Sequence, residues 1–374
     1  MDFNLSHEQD QLRDGLGKFL ATRYDLEKSR TAVKTGPGWQ PEVWKAFAEE
    51  LGILGATLPE EVGGIGGGPV ELMVIAEALG YALVVEPYVD TAVVAAGLLR
   101  RAGGSVALEL LENMIAGTTI VTLAAAEAAS GDRWEDLTTT AHRDESDWVL
   151  TGSKIMAIGA PLATHLLVTA RTPGGTSLFL IDRARIGPGL DVHGYRTVDD
   201  RRAADLVFRD LRLPSDALLG DEGGALPSVE TARDEGATAV CAEAVGCMRK
   251  VLADTVEYCK QRKQFGQPIG SFQALAHRMV DMHMEVQQSI AAVYLAVLNL
   301  EAEPRVRARA VSAAKATVGR AARFVGQNAV QLHGGMGMTE ELAIGHYFKR
   351  LTAIQFEFGS TDHHVARYAR LTRE

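Results

Sequence analysis

Gln331-Leu332-His333-Gly334-Gly335-Met336-Gly337 joins a side-chain amide to three glycines, late in a helix-rich chain. Glycine lets a backbone approach a ligand closely and adopt conformations that other residues avoid. An amide beside it can hydrogen-bond a phosphate oxygen or the edge of a ring. Alone, Gly-Gly-x-Gly is more often a turn than a ligand site. A second stretch roughly seventy residues upstream gives it context: Tyr258-Cys259-Lys260-Gln261-Arg262-Lys263-Gln264-Phe265-Gly266-Gln267-Pro268-Ile269, in which an Arg and a Gln precede a Phe-Gly turn.

Working outward, the chain has 374 residues, 47% of them apolar, enough for a large core divided among two or three domains. Its 38 basic and 48 acidic residues leave a net charge of −10 with no basic block, which argues against sequence-independent nucleic-acid binding. No apolar run reaches the about 18 residues of a membrane span without a charge. The N-terminus is acidic and amphipathic and lacks a signal peptide's basic start and apolar core, so a cytoplasmic location is expected. Cys241, Cys247 and Cys259 are spaced by six and twelve, which fits neither a redox pair nor a zinc site. They read as reduced core residues of one helix.

The first third reads helical. Ser6-x-x-Gln9 is a capping-box signature, followed by Leu12, Leu16, Phe19 and Leu20 at helical spacing. Pro41 suits the first turn of another helix with Gly52 near its end, and Pro69 opens one that runs to Gly80. The glycines between Glu61 and Gly68 follow no strand and read as a loop rather than a dinucleotide fingerprint. From about Thr118 the pattern changes to short β-type runs at Ile120, Trp148, Leu166, Ser177 and Leu206, separated by turn clusters. From about Gly224 it is helical again. Ala237, Val240, Cys241, Ala244, Val245, Met248, Val251, Leu252, Val256 and Cys259 hold a three-four spacing. Met279, Met282, Val286 and Ile290 make a core stripe on the next helix, with Met284 off it. Further helices are expected over 304–332 and from Glu340 to the C-terminus. The predicted fold is mainly α with a central β domain: an N-terminal helical domain over 1–117, a small β barrel or sandwich over 118–222, and a C-terminal four-helix bundle over 223–374.

Arg-x-Gln-Phe-Gly-x-Pro-Ile before Phe272-Gln273, then Gln-x-x-Gly-Gly-x-Gly, resembles the acyl-CoA dehydrogenases. The resemblance covers essentially the whole chain, including the opening through Gln9, the loop from Leu58 to Gly64, and Phe208 to Pro214 with Leu218-Leu219-Gly220. In detail it is similar to the small subunit of pimeloyl-CoA dehydrogenase and to chains from steroid-degrading bacteria. The resemblance implies FAD as cofactor, an acyl-CoA thioester as substrate, α,β-dehydrogenation, and electron-transfer flavoprotein as acceptor. It also implies that two chains share each FAD. One segment set would reach across to a neighbour's cofactor: Arg262 to the pyrophosphate, Gln264 and Phe265 beside the adenosine half, and Gln331, Gly334 and Gly335 giving backbone access.

The other half of the pattern departs from the family. Met156 and Ile158 stand where a Trp and a Thr usually meet the flavin, and neither side chain makes the Thr hydrogen bond. Around Ala126-Glu127 only the Glu of the usual Thr-Glu-Pro survives. The C-terminal base position reads Glu357-Phe358-Gly359, with Phe358 before the Gly, and the alternative position falls on Gly236, one residue after Glu235. Glu235 is the candidate catalytic base; paired, structural carboxylates are the plain alternative for both Glu235 and Glu357. His363-His364 forms no metal site, since adjacent helical residues point apart, and packing at a subunit interface is expected for the pair. Three readings follow: a subunit of an α2β2-like heterotetramer working with a second dehydrogenase chain, a self-sufficient homotetramer with Glu235 displaced, or a non-catalytic scaffold.

Overall fold

The computed structural model describes residues 4–373. In chain order the helices of the first third are α1 (His7–Arg23), α2 (Leu26–Thr35), α3 (Pro41–Glu49) and α4 (Pro69–Tyr81). A π-helical turn over Val89–Ala95 then runs into α5 (Ala96–Ala102) and α6 (Gly104–Ile115). Eight strands follow: β1 (Val121–Ala124), β2 (Thr140–Asp144), β3 (Asp147–Ile158), β4 (His165–Thr172), β5 (Gly175–Asp182), β6 (Leu190–Arg196), β7 (Arg202–Leu213) and β8 (Leu218–Leu219). The last part comprises α7 (Leu226–Gln261), a hairpin of β9 (Lys263–Gln264) and β10 (Gln267–Pro268), α8 (Gln273–Val297), α9 (Pro304–His333), α10 (Ile344–Ile354) and α11 (Thr361–Arg373). The expected order of helical, β and helical regions is therefore present.

These elements form two compact units, one of Met1–Ser29, Gly68–Val84 and Ala237–Glu374, the other of Arg30–Gly67 and Val85–Gly236. In the first unit the capping box forms as read: Ser6 Oγ accepts from Gln9 N at 3.2 Å, and Gln9 Oε1 accepts from Ser6 N at 2.9 Å. Gln9 also donates to Glu71 at 2.8 Å, tying the start of α1 to that of α4. A Cβ on Gly246 would lie 1.9 Å from the Glu77 carbonyl oxygen, so α7 can cross α4 this closely only with glycine there. Cys241, Cys247 and Cys259 are buried and unpaired on α7. Met282 and Val286 are buried on α8, whereas Met284 is exposed. Val280, Met284, Ala291 and Leu295, with Leu298 at the C-cap, make a second, outward stripe along α8 at helical spacing.

In the second unit, β6-β7-β3-β2-β4-β5-β8 is the strand order of an eight-stranded, mainly antiparallel sheet, and β1 adds to β4 in parallel. Trp148, Phe179 and Phe208 fill its core, with Trp148 and Phe179 edge-to-face at 5.2 Å between centroids. Helix α3 starts at Pro41 and stops at Glu49, short of Gly52, which turns the chain with φ +64°. The helix expected from Glu340 onward is two helices. Residues 355–360 break it for a reason given below.

Candidate functional site

At the end of α7, Arg262 N–H still donates to the Tyr258 carbonyl at 2.8 Å, and the Arg262 carbonyl accepts from Ile269 N–H at 2.8 Å. These bonds fix the root of the β9–β10 hairpin. Phe265 and Gly266 form its two-residue turn with φ +53° and +79°, the left-handed pair that suits a tight hairpin. Arg262, Gln264 and Gly266 are exposed, and Phe265 is 91% exposed at the tip. A phenyl ring held outward on strained backbone gains nothing from its own chain beyond an edge contact with Phe272.

The glycine stretch lies beside it. His333, the last residue of α9, stacks on Tyr258 with centroids 4.3 Å apart, and the Tyr258 hydroxyl donates to the His333 carbonyl at 3.4 Å. Burial holds the His333 imidazole below the usual histidine range. The neutral ring donates from Nδ1 to the Ala329 carbonyl at 2.8 Å. This stack brings the ends of α7 and α9 together, and with them the Arg262 and Gly334 segments. Gly334 turns the chain with φ +60°. Gly335 has no left-handed backbone, and a Cβ there would meet nothing within 4 Å. Its own chain does not require glycine at this position. The open backbone, with an exposed guanidinium nearby, fits the approach of a dinucleotide's phosphates.

The β unit presents a different surface. Met156 sits at a register shift between β3 and β7 with φ +51° and is 53% exposed. Its N–H donates to Asp205 Oδ1 at 3.0 Å, and the Tyr195 hydroxyl donates to the same oxygen at 2.9 Å. Burial and then Asp205 push the Tyr195 phenol up to about 12. Neither Met156 nor Ile158 carries a side-chain donor, and the Met156 sulfur is only a weak acceptor. Glu127 turns inward: it accepts from Lys154 Nζ at 2.7 Å, Thr138 N at 2.6 Å and Thr139 N at 3.1 Å. Burial acts to raise its carboxyl, but the bonds from Lys154 and Thr138 outweigh it and hold it at about 2. Burial draws Lys154 down to about 8 against the pull of Glu127.

Both base candidates are engaged. Glu235, near the start of α7, takes a two-pronged bond from Arg101 of α5 at 2.7 and 2.9 Å. A Cβ on Gly97, one turn before Arg101, would lie 2.5 Å from Glu235 Oε2, so this glycine makes room for the pair. Glu357 shares Arg350 with Glu243. Arg350 donates to Glu243 at 2.7 and 2.8 Å and to Glu357 at 2.5 and 3.0 Å. Phe358 follows with φ +56°. Lys315, fully buried on α9, donates to the carbonyls of Ile354, Gln355 and Gly359 at 2.9, 3.2 and 2.9 Å. That clamp breaks the helix expected from Glu340 to the C-terminus. The placing of the His363-His364 pair at a subunit interface is corrected for His364, which is fully buried within its own chain. It bonds the Phe358 carbonyl at 3.1 Å and Ser312 Oγ at 3.3 Å. Sequence reasoning missed Lys315, Arg350, Arg101, Asp205 and Tyr195. The one available signal was Lys315 itself, a cation one turn after Val311 on an apolar helix face.

Domain comparisons cover nearly the whole chain. The N-terminal, middle and C-terminal domains of acyl-CoA dehydrogenase match residues 6–118, 122–211 and 226–371. The chain belongs to the acyl-CoA dehydrogenase family. Acyl-CoA dehydrogenase FadE12 of Mycobacterium tuberculosis is 30% identical over 355 residues, covering 91% of this chain and 89% of that protein. The ChsE4-ChsE5 complex from Mycobacterium tuberculosis contains a chain of TM-score 0.90 and 26% identity, over 100% of this chain and 99% of that one. The FAD complex of PigA matches with the same TM-score, 0.90, and 26% identity over 100% and 99%. As a member of this family the chain is an FAD-dependent oxidoreductase. Among the described residues, no helix is long and apolar enough to cross a membrane, and no group of His, Cys, Asp and Glu could hold a metal.

Proposed function

We propose that this chain is one subunit of a hetero-oligomeric acyl-CoA dehydrogenase, lending its exposed edge to FAD held mainly by a second dehydrogenase chain. The observation that carries this reading is a contrast. Arg262 and Gly335 are free of internal demands, whereas Glu235 and Glu357 have both oxygens in ion pairs and Phe358 occupies the family's base position. FAD, when bound, supplies the acceptor for the hydride from the acyl β-carbon. Arg262 serves its pyrophosphate, Gln264 and Phe265 its adenosine half, and Gln331, Gly334 and Gly335 give backbone access. The partner supplies the base that takes the α-proton of the acyl thioester. The relative crystallised as a complex of two differently named chains supports an assembly of unlike subunits. The outward stripe of Val280, Met284, Leu295 and Leu298 on α8 gives such an assembly, an α2β2-like tetramer, an apolar face.

Within this reading the boundaries near residues 117 and 222 delimit three domains, the complex works in the cytoplasm, and electron-transfer flavoprotein takes the electrons. Co-expression with a candidate partner, followed by flavin absorbance and acyl-CoA oxidation, tests it. About one FAD per pair of unlike chains, with activity only in the pair, is expected. A fully flavinated, active homo-oligomer of this chain alone refutes it.

A second reading, a homotetramer with Glu235 as base, keeps one favourable observation: Glu235 is only partly buried, so it can be released by a side-chain rotation of Arg101. In that case Glu235→Gln abolishes turnover while FAD stays bound; unchanged turnover in that variant removes the reading.

A further inference from the structure

Helix α9 has five arginines and one lysine among its 30 residues and no acidic residue, in a chain where 48 acidic residues outnumber 38 basic ones. Helix α7 shows the usual pattern of a solvated face, with Lys250 paired to Asp254 at 2.6 Å and Lys260 to Glu257 at 4.0 Å. The cations of α9 divide by position. Arg307 and Lys315 are buried and belong to the fold. Arg305, Arg309, Arg320 and Arg323 are exposed. With Ala316, Gln327 and Gln331 they fall on one helix face, about 39 Å long at a rise of about 1.5 Å per residue.

The chain itself answers little of this face. Arg305 donates to the Leu371 carbonyl at 3.1 Å, and Arg309 lies 6.0 Å from the centroid of the Tyr368 ring. Among the described residues, no carboxylate pairs with Arg320 or Arg323. Arg305 and Arg309 stand one turn apart, as do Arg320 and Arg323, and like charges at that spacing repel.

The face also has a direction. It ends at Gln331, and so leads into the Gly334–Gly335 edge assigned above to a second chain's FAD. On the neighbouring α8, Arg278 donates to Asn328 of α9 at 3.3 Å, and α8 carries the outward apolar stripe of Val280, Met284 and Leu295. Apolar area with a polar border is the composition of a protein interface. A net charge of −10 repels a polyanion such as nucleic acid, and a small anion spans only a fraction of the face. A helix with a few carboxylates meets neither objection.

We propose that the Arg305–Gln331 face of α9 docks an acidic helix of the second dehydrogenase chain, with carboxylates at three- or four-residue spacing opposite Arg320 and Arg323. This rests on the hetero-oligomer reading and gives it a partner selected by charge. Such pairing speeds encounter and rejects chains that present cations at the same place.

The test is sedimentation of the co-expressed pair across a salt series from about 0.05 to 0.5 M, over which exposed charges become screened. The parent dissociation constant is expected to rise about tenfold or more across the series. Arg320→Gln with Arg323→Gln weakens assembly about tenfold at low salt and flattens the salt dependence. Arg320→Glu with Arg323→Glu weakens it about a hundredfold, and the corresponding lysine pair stays within about threefold of the parent. The glutamine pair melts no lower than the parent, because it removes a repulsion. Lys18→Gln, which removes an exposed cation of α1, changes neither affinity nor salt dependence. Parent-like affinity and salt dependence in the glutamine pair overturn the proposal, as does weaker assembly with unchanged salt dependence. Binding of this chain to phosphatidylglycerol vesicles or a DNA duplex, lost in the glutamine pair, gives the face to a polyanion and also overturns it. FAD content keeps the two readings apart. A flavinated pair indifferent to salt and to these variants removes the docking face alone, whereas absence of any assembly of unlike chains removes both.

Discussion

The Arg262–Gly335 edge and the Glu357–Gly359 loop belong to the same helical unit and treat their polar groups in opposite ways. At the edge, the guanidinium, a phenyl ring and an open glycine face outward, and nothing within the chain repays them. At the loop, three carbonyls, Glu357 with Glu243 of α7, and the buried His364 of α11 are all bonded inward by Lys315, Arg350 and their neighbours. Groups left unsatisfied at a surface mark what a chain offers to others. Groups satisfied in the interior mark what it needs to fold. A residue type that the family uses for chemistry can belong to either set, and only its partners decide which.

The sharpest break of this contrast is Arg350→Met. Removing the shared cation leaves Glu243 buried against Glu357, and a loss of about 3–5 kcal/mol in urea denaturation is expected. A loss below about 1 kcal/mol would place the loop outside the folding core.

Glu127→Gln comes next, with an expected loss of about 3 kcal/mol at neutral pH, because Lys154 stays buried without its charge partner. The carboxyl is held at about 2 in the folded protein, below its ordinary value. Its stabilisation is therefore complete above the ordinary carboxylate range and fades as pH falls toward about 2. Melting temperatures across that acid range should fall more steeply in the parent than in Glu127→Gln. Parallel curves would show that this carboxyl is not depressed.

The edge should respond the other way. Arg262→Met is expected to leave stability within about 0.5 kcal/mol. It should weaken FAD retention in the assembled protein by about tenfold or more, read as flavin absorbance after gel filtration. A variant that unfolds, or keeps all its flavin, would erase the difference between the two regions. The smallest effect belongs to Gly335→Ala: unchanged melting, since the new methyl meets nothing in its own chain, and FAD affinity lowered several-fold. Unchanged affinity would leave Gly335 without a ligand.

Much of this was legible in the sequence because its causes are local. The Ser6–Gln9 box, Pro69 at a helix start, the β-type runs and the Phe265-Gly266 turn each depend on residues within a few positions. The edge was legible for the same reason, since each of its two segments is continuous. What stayed hidden were pairings across long separations. Glu235 finds Arg101 134 residues away, and Glu243 finds Arg350 107 residues away. Periodicity places such residues on a helix face without naming what lies opposite. The break at 355–360 was missed because its cause, Lys315, lies on another helix. The π-helical turn at Val89–Ala95 and strands β2 and β6 gave weak patterns that tertiary packing completed.

The Lys315 clamp has a consequence for how such a chain can change over generations. It grips main-chain oxygens of Ile354, Gln355 and Gly359, which every amino acid carries, and so is indifferent to the side chains displayed between them. The side chain at position 358 is therefore no part of the bonds by which Lys315 shapes the loop. The loop's shape is thus inherited separately from the side chain it displays.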